Sequence, residues 1–358
     1  MLRRLLLAKA REEQGQGLVV ATLAMVVILA FAAMAIDVGL FLHERRELQK
    51  AADAAALAGA AELPGSPADA MQKAHEWAAN NGIDGGEFGS VEIVTTYVPN
   101  DSITVRLQRD VPFAFARVLG FTSDTMSADA TARIGSPAGM SGLVPWATEE
   151  ASVQQAIETG EAVTLEFGAP GMGEGNFGGI VLDQPGGDEY EENIKYGAEQ
   201  MICSVNQIPI PGCDTAVKPQ TGNQAQIMAQ SEGAVVWRMD NTSGTCAVFD
   251  NVFASTGDGT YEINAGCNPF AAGVESCDEV QSCLIVPIVV IDEFPEGSSE
   301  FMPVLEFALF FLEQFDPGSC NPASCQVEGR FVNAKVSLPA LLGSYDPEGS
   351  FHFVRLIE

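Results

Sequence analysis

One uninterrupted apolar segment constrains the fold of this chain more than any other feature. Residues 17–36, GLVVATLAMVVILAFAAMAI, carry no charged side chain. A helix of about 20 apolar residues spans the hydrocarbon core of a bilayer. Open sheets and irregular segments do not, because their backbone N–H and C=O groups would lack partners there. We therefore predict a single transmembrane helix over residues 17–42.

The charges on either side of this segment predict its orientation. The basic residues that follow it, between positions 45 and 50, are interleaved with Glu44 and Glu47. Basic segments tend to remain in the cytoplasm, which places residues 1–16 inside and the rest of the chain outside a cytoplasmic (inner) membrane. The basic residues that precede the segment are Arg3, Arg4, Lys9 and Arg11.

A cleaved signal peptide is the alternative interpretation of the same segment. The small-x-small tripeptide Ala33-Met34-Ala35 is a candidate cleavage site. However, the apolar run is longer than the about 7 to 15 residues of a signal peptide core. The helical pattern also continues: residues 40–61 contain no proline and only one glycine, near their end.

Small residues predict that this helix packs closely against something. They recur at four-residue spacing, which lets helix backbones approach one another. The partner is either the chain's own domain or a helix of another protein. Asp37 is an ionisable group at the outer edge of the apolar run, where it either has a function or simply reaches the lipid headgroups. The candidates are Asp37, Gly39, Ala51, Ala55 and Gly59.

The cysteines indicate an oxidising compartment. An even number confined to one acidic part of the chain favours disulfides formed outside the cytoplasm. Their short separations favour sequential neighbours as pairs. A zinc site is the alternative, but the sequence has no CxxC pair and only three histidines. The candidate disulfide cysteines are Cys203, Cys213, Cys246, Cys267, Cys277, Cys283, Cys320 and Cys325.

Hydrophobic periodicity predicts an α+β fold. The transmembrane helix continues into a stalk helix, and a short helix at 68–80 is followed by a hairpin whose turn is Pro99-Asn100-Asp101. Short apolar segments beyond position 140, such as AVTLEF, GGIVLD, AVVWRM, CLIVPIVVI and FHFVRLIE, predict strands. The predicted domains are a cytoplasmic end 1–16, the membrane helix 17–42, a stalk and small α+β module 43–135, a linker 136–140 and a β-rich, disulfide-containing ectodomain 141–358.

The charge distribution excludes one class of partner. Residues 61–358 carry 42 of the 48 acidic residues and 11 of the 18 basic ones. A surface this acidic repels phosphate backbones, so we expect no nucleic acid among the partners. Solubility is the simplest explanation for the charge.

Catalytic and metal-binding motifs are sparse. The sequence has no GxSxG elbow, and the glycine run GMGEGNFG at 171–178 lacks the lysine of a phosphate loop. We expect no enzyme activity and no cofactor, although a hydrolase using paired carboxylates would leave no sequence motif. Weak calcium binding is an alternative for the acidic clusters, which lack EF-hand spacing. The clustered residues are Asp188, Glu189, Glu191, Glu192, Asp292 and Glu293.

Residues 15–60, from GQGLVVATLAMV to AADAAALAGA, resemble the N-terminal signature of the TadE/TadG-like proteins of bacterial tight-adherence (Flp) pilus systems. The stretch VPFAFARVLGFTSDTMSADATARIG at 111–135 is similar to the end of the membrane-proximal module in that group. In the C-terminal part, segments such as FALFFLE are similar only in pattern to the ectodomains of some Tad-domain proteins. The resemblance implies a membrane-anchored envelope protein that assembles or anchors pili, with the membrane and other pilus-assembly or envelope proteins as partners.

Two departures limit what the resemblance implies. Prepilin peptidases cut after a glycine with a glutamate at the fifth mature position, whereas Thr22 occupies that place after Gly17. The sequence also has no Asp-x-Ser-x-Ser motif of a von Willebrand A domain. The alternative function is a surface-anchored adhesion protein that recognises a cell-wall or host ligand, with Trp146, Trp237 or Tyr261 stacking on sugars.

Overall fold

The computed structural model combines one long helix with several β-sheets in a mixed α+β fold, as the sequence predicts. The larger part of the chain is β-rich and contains four disulfides. The structure describes residues 2–168, 177–207, 209–220, 227–228, 233–257, 259–271, 274–295, 300–320, 324–336, 340–347 and 349–357.

Among the described residues, six α-helices are named here in chain order. They are α1 Leu2–Ala60, α2 Pro67–Asn80, α3 Glu150–Thr159, α4 Gly187–Tyr196, α5 Ala234–Asp240 and α6 Phe249–Val252. Short 3-10 turns occur at Ala116–Leu119, Ala265–Cys267, Cys277–Val280 and Pro317–Ser319.

Eighteen strands are named here in chain order among the described residues. The first five are β1 Phe88–Val94, β2 Ser102–Pro112, β3 Ser123–Gly135, β4 Pro137–Met140 and β5 Trp146–Glu149. The others are β6 Val163–Gly168, β7 Phe177–Val181, β8 Ile202–Cys203, β9 Ala216–Pro219, β10 Phe253–Ser255, β11 Tyr261–Ile263, β12 Ile285–Ile291, β13 Met302–Pro303, β14 Glu306–Phe315, β15 Ser324–Phe331, β16 Ala334–Lys335, β17 Ala340–Leu342 and β18 Phe353–Leu356.

Helix α1 changes its environment half-way along its length. Its residues from Gly17 to Ile36 lie almost entirely on the surface, although they are apolar, whereas Leu48 and the small residues after it are buried. A helix that is apolar all round does not face water. The stretch within Gly17–Ala60 is long and apolar enough to cross a membrane, which makes it a candidate membrane span.

The second half of α1 packs against a small membrane-proximal module. An antiparallel sheet in the order β1-β2-β3-β18 forms one layer, and α1 and α2 form the other. The hairpin β1–β2 pairs in the predicted place, and Asp101 accepts backbone N–H bonds from residues 96–98 of its turn. Inward-facing Ile103, Val105 and Leu107 of β2 alternate with exposed residues, so the sheet has one buried face.

The larger domain is built around one extended sheet. Its order is β13-β9-β7-β5-β12-β14-β15-β6, and β6 also pairs with β7 through Phe167 and Phe177. Six of these strands therefore close into a ring, which leaves fewer exposed edges for another chain to pair with. Every residue of β12 is buried, as expected of a strand covered on both faces.

Each of the four disulfides connects two cysteines that follow one another along the chain, with no other cysteine between them. The pairs are those that the short separations favour, and the structure contains no free cysteine among its described residues. Each bridge closes a short loop of the larger domain, so it limits local opening there rather than linking distant parts. The pairs are Cys203–Cys213, Cys246–Cys267, Cys277–Cys283 and Cys320–Cys325.

The predicted linker at 136–140 is wrong. Pro137–Met140 is the buried strand β4, in the middle of a small sheet between β17 and β8. The predicted boundary also fails at the far end of the chain, because β18 pairs with β3 and belongs to the membrane-proximal sheet. Arg133 strengthens this connection by donating hydrogen bonds to the carbonyl oxygens of Gly343 and Leu342.

The predicted strand AVVWRM is wrong as well. It forms helix α5, in which Ala234, Val235 and Arg238 are buried. A short apolar run fits a strand or a buried helix equally well by periodicity alone. Tertiary contacts decide here, because the guanidinium of Arg238 donates to the carbonyl oxygens of Ile194 and Cys283. Burial lowers the pKa of Arg238 to about 9.

A half-buried carboxyl group links the C-terminal segment to the large sheet. Glu306 of β14 accepts hydrogen bonds from the backbone N–H (3.1 Å) and hydroxyl group (2.6 Å) of Ser350. Burial raises the pKa of Glu306 to about 7, and the nearby carboxylates of Glu150 and Asp346 act in the same direction. The folded protein therefore holds a proton on Glu306 at pH values where the unfolded chain has lost it.

This raised pKa predicts a pH-dependent stability. Since the ordinary value is 4.5, the folded state loses stability as the pH rises from about 4.5 to about 7, by about 3 kcal/mol in total. Glu306→Gln keeps the shape without the proton equilibrium, so its stability relative to the parent chain should increase over that range. Thermal denaturation of both chains at a series of pH values measures the difference. A pH-independent difference would contradict the assignment.

Candidate membrane-proximal site

Asp37 lies at the point where α1 leaves its exposed apolar stretch. It is only 5% exposed, although its neighbours in sequence lie on the surface. Its carboxylate accepts hydrogen bonds from three consecutive backbone N–H groups, those of Ala114 (2.8 Å), Phe115 (3.0 and 3.1 Å) and Ala116 (2.6 Å). One side chain of the helix therefore holds the connection between β2 and β3.

The local fold of this connection explains why a carboxylate is required. The 3-10 turn Ala116–Leu119 begins directly after Phe115, and the first N–H groups of a helical turn have no partner within the turn. A negative charge is favourable at such an end, where the N–H groups point outward. Bonds from N–H groups to a charged acceptor are also shorter and stronger than neutral ones.

A second polar contact joins the same elements further from the apolar stretch. Arg109 of β2 donates to Glu44 of α1 (3.0 Å) and to Glu87, which precedes β1 (2.6 Å). The hydrogen bond from Arg109 lowers the pKa of Glu87 below its ordinary value. Arg109 also donates to the carbonyl oxygen of Gly82. Helix α1 is thus fixed to the module by the polar contacts of Asp37 and Arg109, and Gln49 adds a hydrogen bond to the carbonyl oxygen of Asp129 (2.9 Å).

The small-residue face of α1 lies between these contacts and the end of the helix. Ala51 and Ala55 are fully buried against the module. At Gly59, an added Cβ atom would lie 2.6 Å from Cδ1 of Ile103 and 2.9 Å from the carbonyl oxygen of Ala70. The structure thus packs this face against the chain's own β2 and α2, rather than leaving it for a helix of another protein.

The five helix-packing candidates do not form one site. Asp37, Ala51, Ala55 and Gly59 face the module, whereas Gly39 is exposed and has open space around its Cβ position. The roles of Arg109, Glu44 and the backbone of residues 114–116 were not predicted from the sequence. No sequence pattern distinguishes Arg109, because it occupies an ordinary position in an alternating strand.

The other candidate residues lie apart from this site. Among the described residues, no group of three or more His, Cys, Asp or Glu side chains is close enough to hold a metal ion. In the acidic cluster of α4, Glu191 is paired with Lys195 at 2.5 Å. The glycine run at 171–178 falls mostly outside the described residues, and only Phe177 and Gly178 are placed, in β7.

The three aromatic residues considered for sugar stacking differ in exposure. Trp146 is fully buried and donates a hydrogen bond to the hydroxyl of Tyr190. Tyr261 packs edge-on against Phe249 in an aromatic cluster. Trp237 is partly exposed and lies edge-on to Tyr196, with ring centroids 5.0 Å apart. Trp237 and Tyr261 are both partly exposed, so burial excludes only Trp146 from contact with a sugar ring.

Comparison with known families gives two matches in the first third of the chain. Residues 15–62 match a family described as putative Flp pilus-assembly TadE/G-like, and residues 51–132 match one described as putative Tad-like Flp pilus-assembly. Residues 15–132 are Tad-like. The resemblance of residues 15–60 and 111–135 is confirmed within this range. No curated protein and no solved structure matches the chain.

The Tad-like region includes the whole membrane-proximal site. The first match covers Asp37, Glu44 and the small-residue face, and the second covers Arg109 and the connection that Asp37 holds. The second match ends just before Arg133, so strand β18 and the larger domain lie beyond both matches. A Tad-like Flp pilus-assembly region supports a role in pilus assembly.

The carboxylate of Asp37 is the first element to test. In Asp37→Asn the amide NH2 would face N–H donors, so we expect a loss of about 2 kcal/mol from the docking of residues 114–116 and at least about tenfold faster opening. Trypsin cleavage after Arg117 in the detergent-solubilised chain measures that opening. Asp124→Asn is the matched control, because the Asp124 side chain is exposed and accepts one bond, from Thr125. Equal cleavage rates for both variants would count against this role.

Gly59 provides a test of the small-residue face. Gly59→Ala places a methyl group against Ile103 and the backbone of Ala70, which should cost about 1 to 3 kcal/mol of stability. Gly39→Ala introduces the same group where nothing lies within 4 Å, and should raise stability by about 0.5 to 1 kcal/mol, because alanine favours a helix more than glycine does. Thermal denaturation in detergent compares the two. Similar melting temperatures would mean that this face is not tightly packed.

Proposed function

We propose that this protein is a membrane-anchored component of a Tad-type Flp pilus-assembly system. The anchor is the apolar part of α1, with the N-terminus in the cytoplasm and the larger domain outside the inner membrane. The role is structural rather than catalytic: the protein holds a folded domain beside the membrane where pilus components assemble. Its partners are the membrane and other pilus-assembly or envelope proteins.

The continuity of α1 carries this proposal. The candidate membrane span and the helix that packs on the module are one uninterrupted helix, Leu2–Ala60, with Asp37 and Arg109 fixing it to the sheet. A rigid helix transmits the position and tilt of its membrane segment to whatever is packed on it. A flexible linker would not do so. This geometry suits a component that must present a surface at a fixed height above the bilayer.

The chemistry of the larger domain supports the proposed side of the membrane. All eight cysteines lie in that domain, and the structure pairs them in four disulfides. Disulfides persist in oxidising compartments and are rare in the cytoplasm. The basic residues at positions 3–11 precede the apolar segment, as the positive-inside rule requires of a cytoplasmic end.

Complementation of a strain that lacks the gene tests the proposal. The full chain should restore surface pili, measured by electron microscopy and by adhesion. A version in which a cleavable signal peptide replaces residues 1–35 is exported but not anchored, and it should fail to restore them. Leu29→Ile retains an apolar anchor and serves as the matched control.

Topology is measured in the same cells. Protease added from outside should digest the larger domain and leave the N-terminal end of the membrane-bound chain intact. Full restoration of pili by the unanchored version would show that anchoring is not needed. Normal numbers of surface pili on the strain without the gene would contradict the proposed role in pilus assembly.

A further inference from the structure

The connection between β2 and β3 is unusually apolar for an exposed loop. Residues 113–122, FAFARVLGFT, contain one charged side chain, Arg117. Val118 is 88% exposed and Phe121 is 64% exposed. Scattered apolar residues are common on protein surfaces, but a contiguous apolar patch indicates contact with a protein or a membrane. We call residues 113–122 the apolar loop.

The apolar loop runs along α1 towards the candidate membrane span. Phe113 stacks on Phe41, with ring centroids 6.2 Å apart. Further along, Phe115 and Val118 line a groove of about 720 Å³ whose other wall includes Val27 and Phe31. Val27 precedes Asp37 by ten residues, which corresponds to about 15 Å along a helix. The groove beside the loop therefore extends from the level of Asp37 into the apolar segment.

Most backbone N–H groups of the apolar loop are paired inside the protein. Asp37 accepts from the N–H groups of residues 114, 115 and 116. The N–H groups of residues 113, 118, 120 and 121 donate to carbonyl oxygens within the same loop. Non-helical backbone enters hydrocarbon only where such groups are satisfied, because water is absent there. Seven of the ten backbone N–H groups of the loop are paired in this way, which lowers the cost of moving the loop from water towards the bilayer.

We infer that the apolar loop inserts into the outer leaflet of the bilayer beside α1. The inference rests on the anchoring proposed above. Acyl chains fill the groove between the loop and the helix, and Val118 and Phe121 face hydrocarbon. The long side chain of Arg117 reaches outward to the lipid phosphates, as basic side chains do near membrane surfaces.

Continuity identifies lipid, rather than a second protein, as the occupant. The exposed apolar surface of the loop adjoins the exposed apolar surface of α1 between Leu18 and Leu42. An environment that surrounds the span therefore also reaches the loop. The protein is then attached at two points, which restrains its rotation about the axis of α1.

Quenching of tryptophan fluorescence by lipids with brominated acyl chains tests this inference. The full chain is reconstituted into phosphatidylcholine vesicles, and each variant is compared with the parent chain to subtract the three native tryptophans. Val118→Trp should show emission at shorter wavelength and lose most of the added fluorescence to the brominated lipid. The substitution disturbs no packing, because Val118 is almost fully exposed.

Two matched variants make the outcomes distinguishable. Val248→Trp places the probe at an exposed valine of the larger domain, 49% exposed, and should not be quenched. Leu29→Trp places it in the candidate span and should be quenched. Quenching at position 29 but not at 118 would overturn the inserted loop and leave the anchor intact. Absence of quenching at both positions would overturn the anchor together with the inference.

Discussion

The hydrogen bonds of the Asp37 carboxylate connect the exposed apolar part of α1 to the folded remainder of the protein. Residues 17–36 of α1, which precede Asp37, are apolar and exposed, and from Leu48 onwards α1 is packed against a sheet. A buried charge is costly unless hydrogen bonds compensate it. The N–H groups of residues 114–116 provide that compensation, so the transition between the two environments also fixes the position of the β2–β3 connection.

Close packing maintains this arrangement along the remainder of α1. Small side chains bring the helix backbone near β2 and α2, where van der Waals contact is sensitive to one methyl group. Arg109 adds a directional contact from the sheet to Glu44. The two kinds of interaction are complementary: packing determines how near the helix lies, and the ion pair determines its register along the sheet.

Local sequence patterns predicted the elements that depend on local sequence. The apolar run, the alternation of β2 and the turn at 99–101 each specify their structure within a few residues, and the short loops between cysteines favour their pairing. The errors arose where distant contacts decide. AVVWRM became helix α5 through the buried bonds of Arg238, and residues 137–140 became a strand because β17 and β8 pair with them. Helices α3 and α4 were not predicted. The contact between Asp37 and residues 114–116 could not be predicted either, because it uses backbone N–H groups, which nearly every residue carries.

The pairing of β18 with β3 makes the larger domain an insertion into the membrane-proximal sheet. Contacts between residues so far apart in sequence form slowly, because a long loop must close before they contribute. Until then, the edge of β3 lacks its neighbour and presents unpaired backbone groups to any passing strand. The sheet of β1, β2, β3 and β18 is thus the last to be completed, and the edge of β3 needs protection from other chains while the intervening domain is still folding and forming its disulfides.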